Sequence, residues 1–191
     1  MSTQTSISGT HELGPVNGNL TVRTARAGAA ARMGHDLVID ATRWSAALTI
    51  DETAPDRSSL QITVDATSFE IREASGGVKA LSDKERGEIL KNIAKKVLST
   101  DRHPEIRFAS TSVQVTDSGT VDADGDLTLA GTTKPVQVRI NLEDPAGQPT
   151  LTATMPLVQS DFGIKPYSAM MGALKVADEV TIEARARPAA G

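Results

Sequence analysis

The chain has 191 residues, 39% of them hydrophobic and 23% charged, which suits one domain spanning 1–191 with a core of about 6–187 and excludes a disordered chain. A net charge of −4, scattered Lys and Arg and only five aromatic residues exclude nucleic acid as a partner, because no positive surface is available to supply the affinity. Cysteine is absent, which excludes disulfides, a thiolate nucleophile and a thiolate metal site.

The opening "MSTQTSISGTHELG" is polar. It carries no apolar core of a secretory leader, so a cytoplasmic location is expected. No stretch approaches the roughly 20 apolar residues of a bilayer span, so no stable membrane insertion is expected. "GNLTVRTA" then begins an alternation of apolar and polar side chains. "AARMGHDLVID", Ala30 to Asp40, places His35 and Asp36 just ahead of another apolar run. In "SSLQITVDAT", Leu60, Ile62, Val64 and Ala66 share one face.

"SDKERGEILKNIAKKVLS" breaks the pattern and predicts one helix. Ser82 and Glu85 form a capping box, and Ile89, Leu90, Ile93, Ala94, Val97 and Leu98 form an apolar stripe. Alternation resumes in "IRFASTSVQVT". In "GTVDADGDLTLAG", Val121, Ala123, Leu127 and Leu129 oppose a row of acids. "KPVQVRINLE" sets Val136, Val138, Ile140 and Leu142 together, and "TLTATMPLVQ" does so with Leu151, Ala153, Met155 and Leu157.

Residues 160–179, "SDFGIKPYSAMMGALKVADE", read as a loop with a short helical turn. They concentrate Phe162, Ile164, Tyr167, Met170, Met171 and Leu174. Unbranched Met suits an irregular ligand surface; ordinary core at the end of a barrel accounts for the same residues. "EVTIEARARP" ends the pattern with Val180, Ile182, Ala184 and Ala186 inward, and the tail "RPAAG" is expected to fray. "DETAPDRSS", "TDSGT", "AGTTKP" and "EDPAGQPT" supply the turns. Seven to nine antiparallel strands with one dry face predict a sandwich or a closed barrel. A lone amphipathic helix in such a fold needs an apolar surface, and a barrel mouth offers one.

The motifs of catalysis are missing. His11, His35 and His103 share no local metal-ligand spacing. No G-x-S-x-G elbow and no phosphate loop occur. "DADGD" lacks the order of a calcium loop. His35 and Asp36 are sequence neighbours, so on a strand they point to opposite faces. Small inward residues recur at Ala66, Ala123, Ala153, Ala184 and Ala186. Inside an eight-stranded barrel they leave volume for one narrow ligand, unless the barrel fills itself.

Four stretches in order, "GNLTVRTARAGAAARMGHDLVI", "HPEIRFASTSV", "GDLTLAGTTKPVQV" and "QSDFGIKPYSAMMGALKVADEVTIE", resemble the YceI-like family of lipocalin-like polyisoprenoid-binding proteins. The resemblance runs from about Gly18 to Ala186. It implies an all-β, extended eight-stranded antiparallel lipocalin-like barrel with one amphipathic helix near one end. It also implies storage or transport of a long apolar chain, such as an isoprenoid quinone or polyprenyl lipid, with no catalysis, no catalytic cofactor and a homodimer. The chain departs from the family in lacking the aromatic-rich start and the aromatic pair before the P-x-I-x-F strand.

The candidate ligand contacts are His35, Leu37, Phe69, Ile89, Ile93, Phe108, Phe162, Ile164, Tyr167, Met170, Met171 and Leu174. His35 falls at the family's G-H position. It either meets a ligand head or is a satisfied histidine that pins its strand. Three readings stay open: a carrier of an apolar chain, fatty acids included; a filled barrel acting through its surface; and a hydrolase or metal enzyme built on His35.

Overall fold

The computed structural model describes residues 8–116, 119–143 and 148–188. The first seven residues of the polar start, parts of the turns in "TDSGT" and "EDPAGQPT", and the end of the tail lie outside them. The alternating segments form strands: β1 (Gly9–Leu13), β2 (Gly18–Thr24), β3 (Arg26–Ala27), β4 (His35–Ala41), β5 (Trp44–Ile50), β6 (Ser59–Asp65), β7 (Phe69–Gly76), β8 (Glu105–Val115), β9 (Thr120–Leu129), β10 (Thr132–Glu143), β11 (Thr150–Val158), β12 (Ser168–Ala169), β13 (Leu174–Val176) and β14 (Glu179–Ala186).

Eleven of these hydrogen-bond in one antiparallel sheet, in the order β1-β5-β6-β8-β9-β10-β11-β14-β2-β4-β7. The count differs from the expected eight because three long strands bend. β1 pairs β5 while β2, next in the chain, pairs β4. β5 pairs β6 while their continuations β4 and β7 pair each other. Merged across the bends at 14–17, 42–43 and 66–68, residues 9–24, 35–50 and 59–76 are three long strands. With β8, β9, β10, β11 and β14 they form a ring of eight, which β14 closes by pairing β2.

One corner is stitched by side chains. The Thr42 hydroxyl donates to the Ser68 carbonyl at 2.7 Å, and the Arg43 N–H donates to Ser68 Oγ at 3.1 Å. β3, β12 and β13 make a separate three-stranded sheet beside one end of the barrel.

The dry face of each strand points inward, as the alternation requires. Leu48, Ile50, Leu60 and Val121 are fully buried, and Leu151 is buried beside them. They cluster where β5 meets β6, β8 meets β9 and β10 meets β11, so this end of the barrel is solid. Gly125 is one condition of that packing: a Cβ there would come within 2.7 Å of the Phe108 ring and 2.4 Å of the Ala109 carbonyl oxygen. Ala66 and Ala123, expected to leave space, are buried and packed.

The predicted helix exists. α1 (Asp83–Asn92) starts on the Ser82–Glu85 capping box and runs on as a π-helical turn, Ile93–Val97. The Leu98 N–H donates to the Ile93 carbonyl at 2.9 Å, five residues back. No side chain of α1 is fully buried, so it lies across the barrel as a cover. Among the described residues, no helix is long and apolar enough to cross a membrane.

Candidate functional site: a one-ended apolar cavity

Inside the barrel, away from the packed end, lies a cavity of about 630 Å³. Its walls are the inward side chains of the alternating strands: Leu20 and Val22 of β2, Leu37 and Ile39 of β4, Ile62 and Val64 of β6, Val136 and Val138 of β10, and Ala153 and Met155 of β11. Ala184 and Ala186 of β14 contribute the small residues that keep the space open, and Leu60 and Leu151 lie toward the packed end. Leu81, Ile89, Ile93 and Val97 bring the apolar face of the helical segment over the top. At roughly 30 Å³ per water-sized group, the volume admits about twenty methylene-sized groups.

Nine of the twelve candidate residues line this cavity: His35, Leu37, Phe69, Ile89, Ile93, Phe108, Ile164, Tyr167 and Leu174. Three do not. Phe162 is buried in a short 3-10 turn, Gln159–Phe162, and packs in the core. Met170 and Met171 stand in solvent. Both adopt positive φ, 52° and 55°, which turns the chain outward at the tip between β12 and β13. Periodicity could not find this, because it lies outside any regular element.

The sequence also left unnamed Trp44, which lines the wall, and Arg26, Lys79 and Lys175, which line the mouth. The alternation of "WSAALTI" was the available signal for Trp44. The basic residues had none, since each sits on a loop or a very short strand.

The ionisable groups gather at the mouth. His35 opens β4, and its Nε2–H donates to the Lys79 carbonyl at 2.8 Å. Its ring lies against Gly77, where a Cβ would fall 2.4 Å from the imidazole. The histidine is therefore satisfied, and it ties the second long strand of the barrel to the loop that leads into α1. Arg26 reaches the Gly34 carbonyl at 3.1 Å and lies 3.7 Å from Asp36.

Lys79 Nζ sits 2.9 Å from Glu85. This contact, with the Ser82 N–H and hydroxyl, holds the Glu85 carboxyl down to about 2. Lys96 Nζ stands 5.7 Å from the centre of the Tyr167 ring, a cation–π contact between the helical segment and the loop before β12.

His11 lies on β1, His35 contacts the α1 loop and His103 lies against Gly131, so the three are not gathered. Among the described residues, no three His, Asp or Glu side chains are close enough to share a metal ion. The acidic row of β9 serves the outer wall: Arg139 pairs Asp122 at 2.7 Å and Gln137 donates to Asp124 at 2.9 Å.

The family model described as YceI-like domain matches residues 17–187. A UPF0312 protein of Pseudomonas savastanoi pv. phaseolicola is 30% identical over 128 residues, covering 64% of this chain and 60% of that protein. Protein YceI of Shigella flexneri is 32% identical over 123 residues, covering 61% and 58%. The alignments thus span about 60% of the length of these relatives.

Among solved structures, Burkholderia cenocepacia BcnA superposes with a TM-score of 0.68 at 19% identity, covering 93% of this chain and 99% of that one. A polyisoprenoid binding domain from Saccharophagus degradans, described as implicated in plant cell wall breakdown, superposes with a TM-score of 0.62 at 10% identity, covering 96% and 99%. At these identities the two structures show a shared fold.

Proposed function

This chain belongs to the YceI-like family, and from that premise we propose that it is a non-catalytic carrier or reservoir of a long apolar chain held inside the barrel. The observation that carries the reading is the cavity of about 630 Å³, whose strand walls are almost wholly apolar and whose charged groups all lie toward its mouth. An apolar chain entering it gains about 0.8 kcal/mol per buried methylene, less the cost of ordering the chain. No charged contact is needed inside. Isoprenoid quinones and polyprenyl lipids are the favoured cargo, in line with the polyisoprenoid binding named for the Saccharophagus domain; fatty acyl chains share the needed chemistry. Eight of the nine cavity-lining candidates, Leu37, Phe69, Ile89, Ile93, Phe108, Ile164, Tyr167 and Leu174, are the proposed contacts, and His35 at the mouth holds the frame.

The test is native mass spectrometry on protein purified without detergent, repeated after solvent extraction. The expected result is a stoichiometric extra mass that extracts as an isoprenoid or acyl chain. A clean apo mass, with no uptake when quinones and fatty acids are offered, would overturn the reading. Ala184→Phe, placed on the cavity wall, is expected to cut uptake while leaving the folded state intact by circular dichroism.

A further inference from the structure

Three segments frame the cavity mouth: 26–34, 77–98 and 159–177. Counted with Asp36 and Asp178, which are bonded to Arg26 and Ser160 of these segments, they hold 10 Lys or Arg against 6 Asp or Glu, a balance of +4. The rest of the chain holds 10 against 18, a balance of −8, and the two make up the net −4. An acidic protein has therefore collected half of its basic residues around one opening. Such asymmetry is a statement about partners rather than about fold.

The same end exposes apolar side chains. Of the six exposed large hydrophobic residues among those described, four belong to these segments: Met33, Val78, Met170 and Met171. Met33 and Val78 line the mouth itself. Met170 and Met171 form the tip between β12 and β13, with φ of 52° and 55°. Left-handed backbone is disfavoured for residues that carry a Cβ, and neither side chain is buried in return. The tip is fastened to the loop bearing Met33 by the Ala30 N–H, which donates to the Ala173 carbonyl at 2.8 Å. A held, strained, apolar tip beside a basic opening is a surface shaped for a partner.

We propose that this end docks on an anionic lipid bilayer, with Met170 and Met171 inserted among the acyl chains and the surrounding lysines on the headgroups. Apolar groups set in a basic rim are the combination that anionic membranes hold, each signal being weak alone. The proposal rests on the carrier reading, because a cargo of that class resides in bilayers and the cavity opens between these residues. Docked in this way, the mouth faces the lipid without the chain having to cross water.

The experiment is flotation of the full chain with vesicles of neutral phosphatidylcholine and with vesicles containing phosphatidylglycerol. The expected result is co-flotation with the anionic vesicles at low salt, at least tenfold weaker with neutral vesicles or in 0.5 M NaCl. Met170→Asn/Met171→Asn suits the left-handed backbone, so the fold is kept, and it is expected to weaken flotation at least tenfold. Lys91→Glu/Lys95→Glu is expected to do the same. No flotation, equal flotation with both vesicle types, or an unaffected tip variant overturns docking; so does a dimer in solution that the tip variant dissolves, which assigns the surface to a second copy. Cargo occupancy is read separately by native mass spectrometry. An occupied protein that does not float overturns docking alone, and an empty protein that floats overturns the carrier reading alone.

Discussion

Of the two roles open to His35, its hydrogen bond supports that of a satisfied histidine that pins its strand. Its Nε2–H is spent on the Lys79 carbonyl at 2.8 Å, so His35→Ala removes one hydrogen bond and the ring that packs on Gly77. The expected loss is about 0.5–1.5 kcal/mol in denaturant unfolding, with cargo occupancy retained in native mass spectrometry. Loss of cargo at unchanged stability would instead make His35 a ligand contact. Gly77 is the complement: at φ +69°, with a Cβ 2.4 Å from the imidazole, Gly77→Ala is expected to cost about 1–3 kcal/mol. Glu85 gives the pH test. Its carboxyl is lowered from 4.5 to about 2, first by Lys79 and then by Ser82. A carboxyl depressed in the folded state favours folding above its unfolded value and loses that contribution as pH falls through its folded value. The gap in Tm between the native chain and Glu85→Gln should therefore be full at pH 6 and close between about pH 4.5 and 2; a constant gap would count against the assignment.

Elements were legible where sequence period and environment agreed. β2, β6, β8, β9, β10, β11 and β14 each have one dry face and one wet face, and their inward residues make the wall. The capping box marked the start of α1, since Ser82 and Glu85 satisfy each other's backbone N–H groups. β1, β3, β12 and β13 were not legible, because two to five residues are too few to set a period. The bends were hidden too: Thr42, Arg43 and Ser68 owe their places to hydrogen bonds across the chain, which no local pattern encodes. Phe162, Met170 and Met171 shared composition with the lining but not its direction, since an apolar loop residue takes its facing from the backbone around it. α1 also carries a simple test of its own. Gly87 is exposed, and a Cβ there meets nothing within 4 Å, so Gly87→Ala is expected to stabilise the protein by about 0.5–1 kcal/mol in chemical denaturation.

At the scale of the whole molecule, the barrel is solid at one end and hollow at the other. Leu48, Ile50, Leu60, Val121 and Leu151 fill the first, and the helical segment with the β3–β12–β13 sheet frames the second. Bound cargo should raise Tm in proportion to the logarithm of its free concentration, because it binds the folded state alone. The blind end has a further consequence for a series of straight chains. A cavity open at both ends would let a chain slide until both its ends emerged. This one stops the leading tip, so each added carbon is gripped until the bore is full, and every carbon after that hangs outside. Affinity should climb with chain length and then level off near about twenty carbons. On the proposed function, then, the barrel is a gauge that measures a molecule by how far it can be pushed in and leaves its trailing end at the opening.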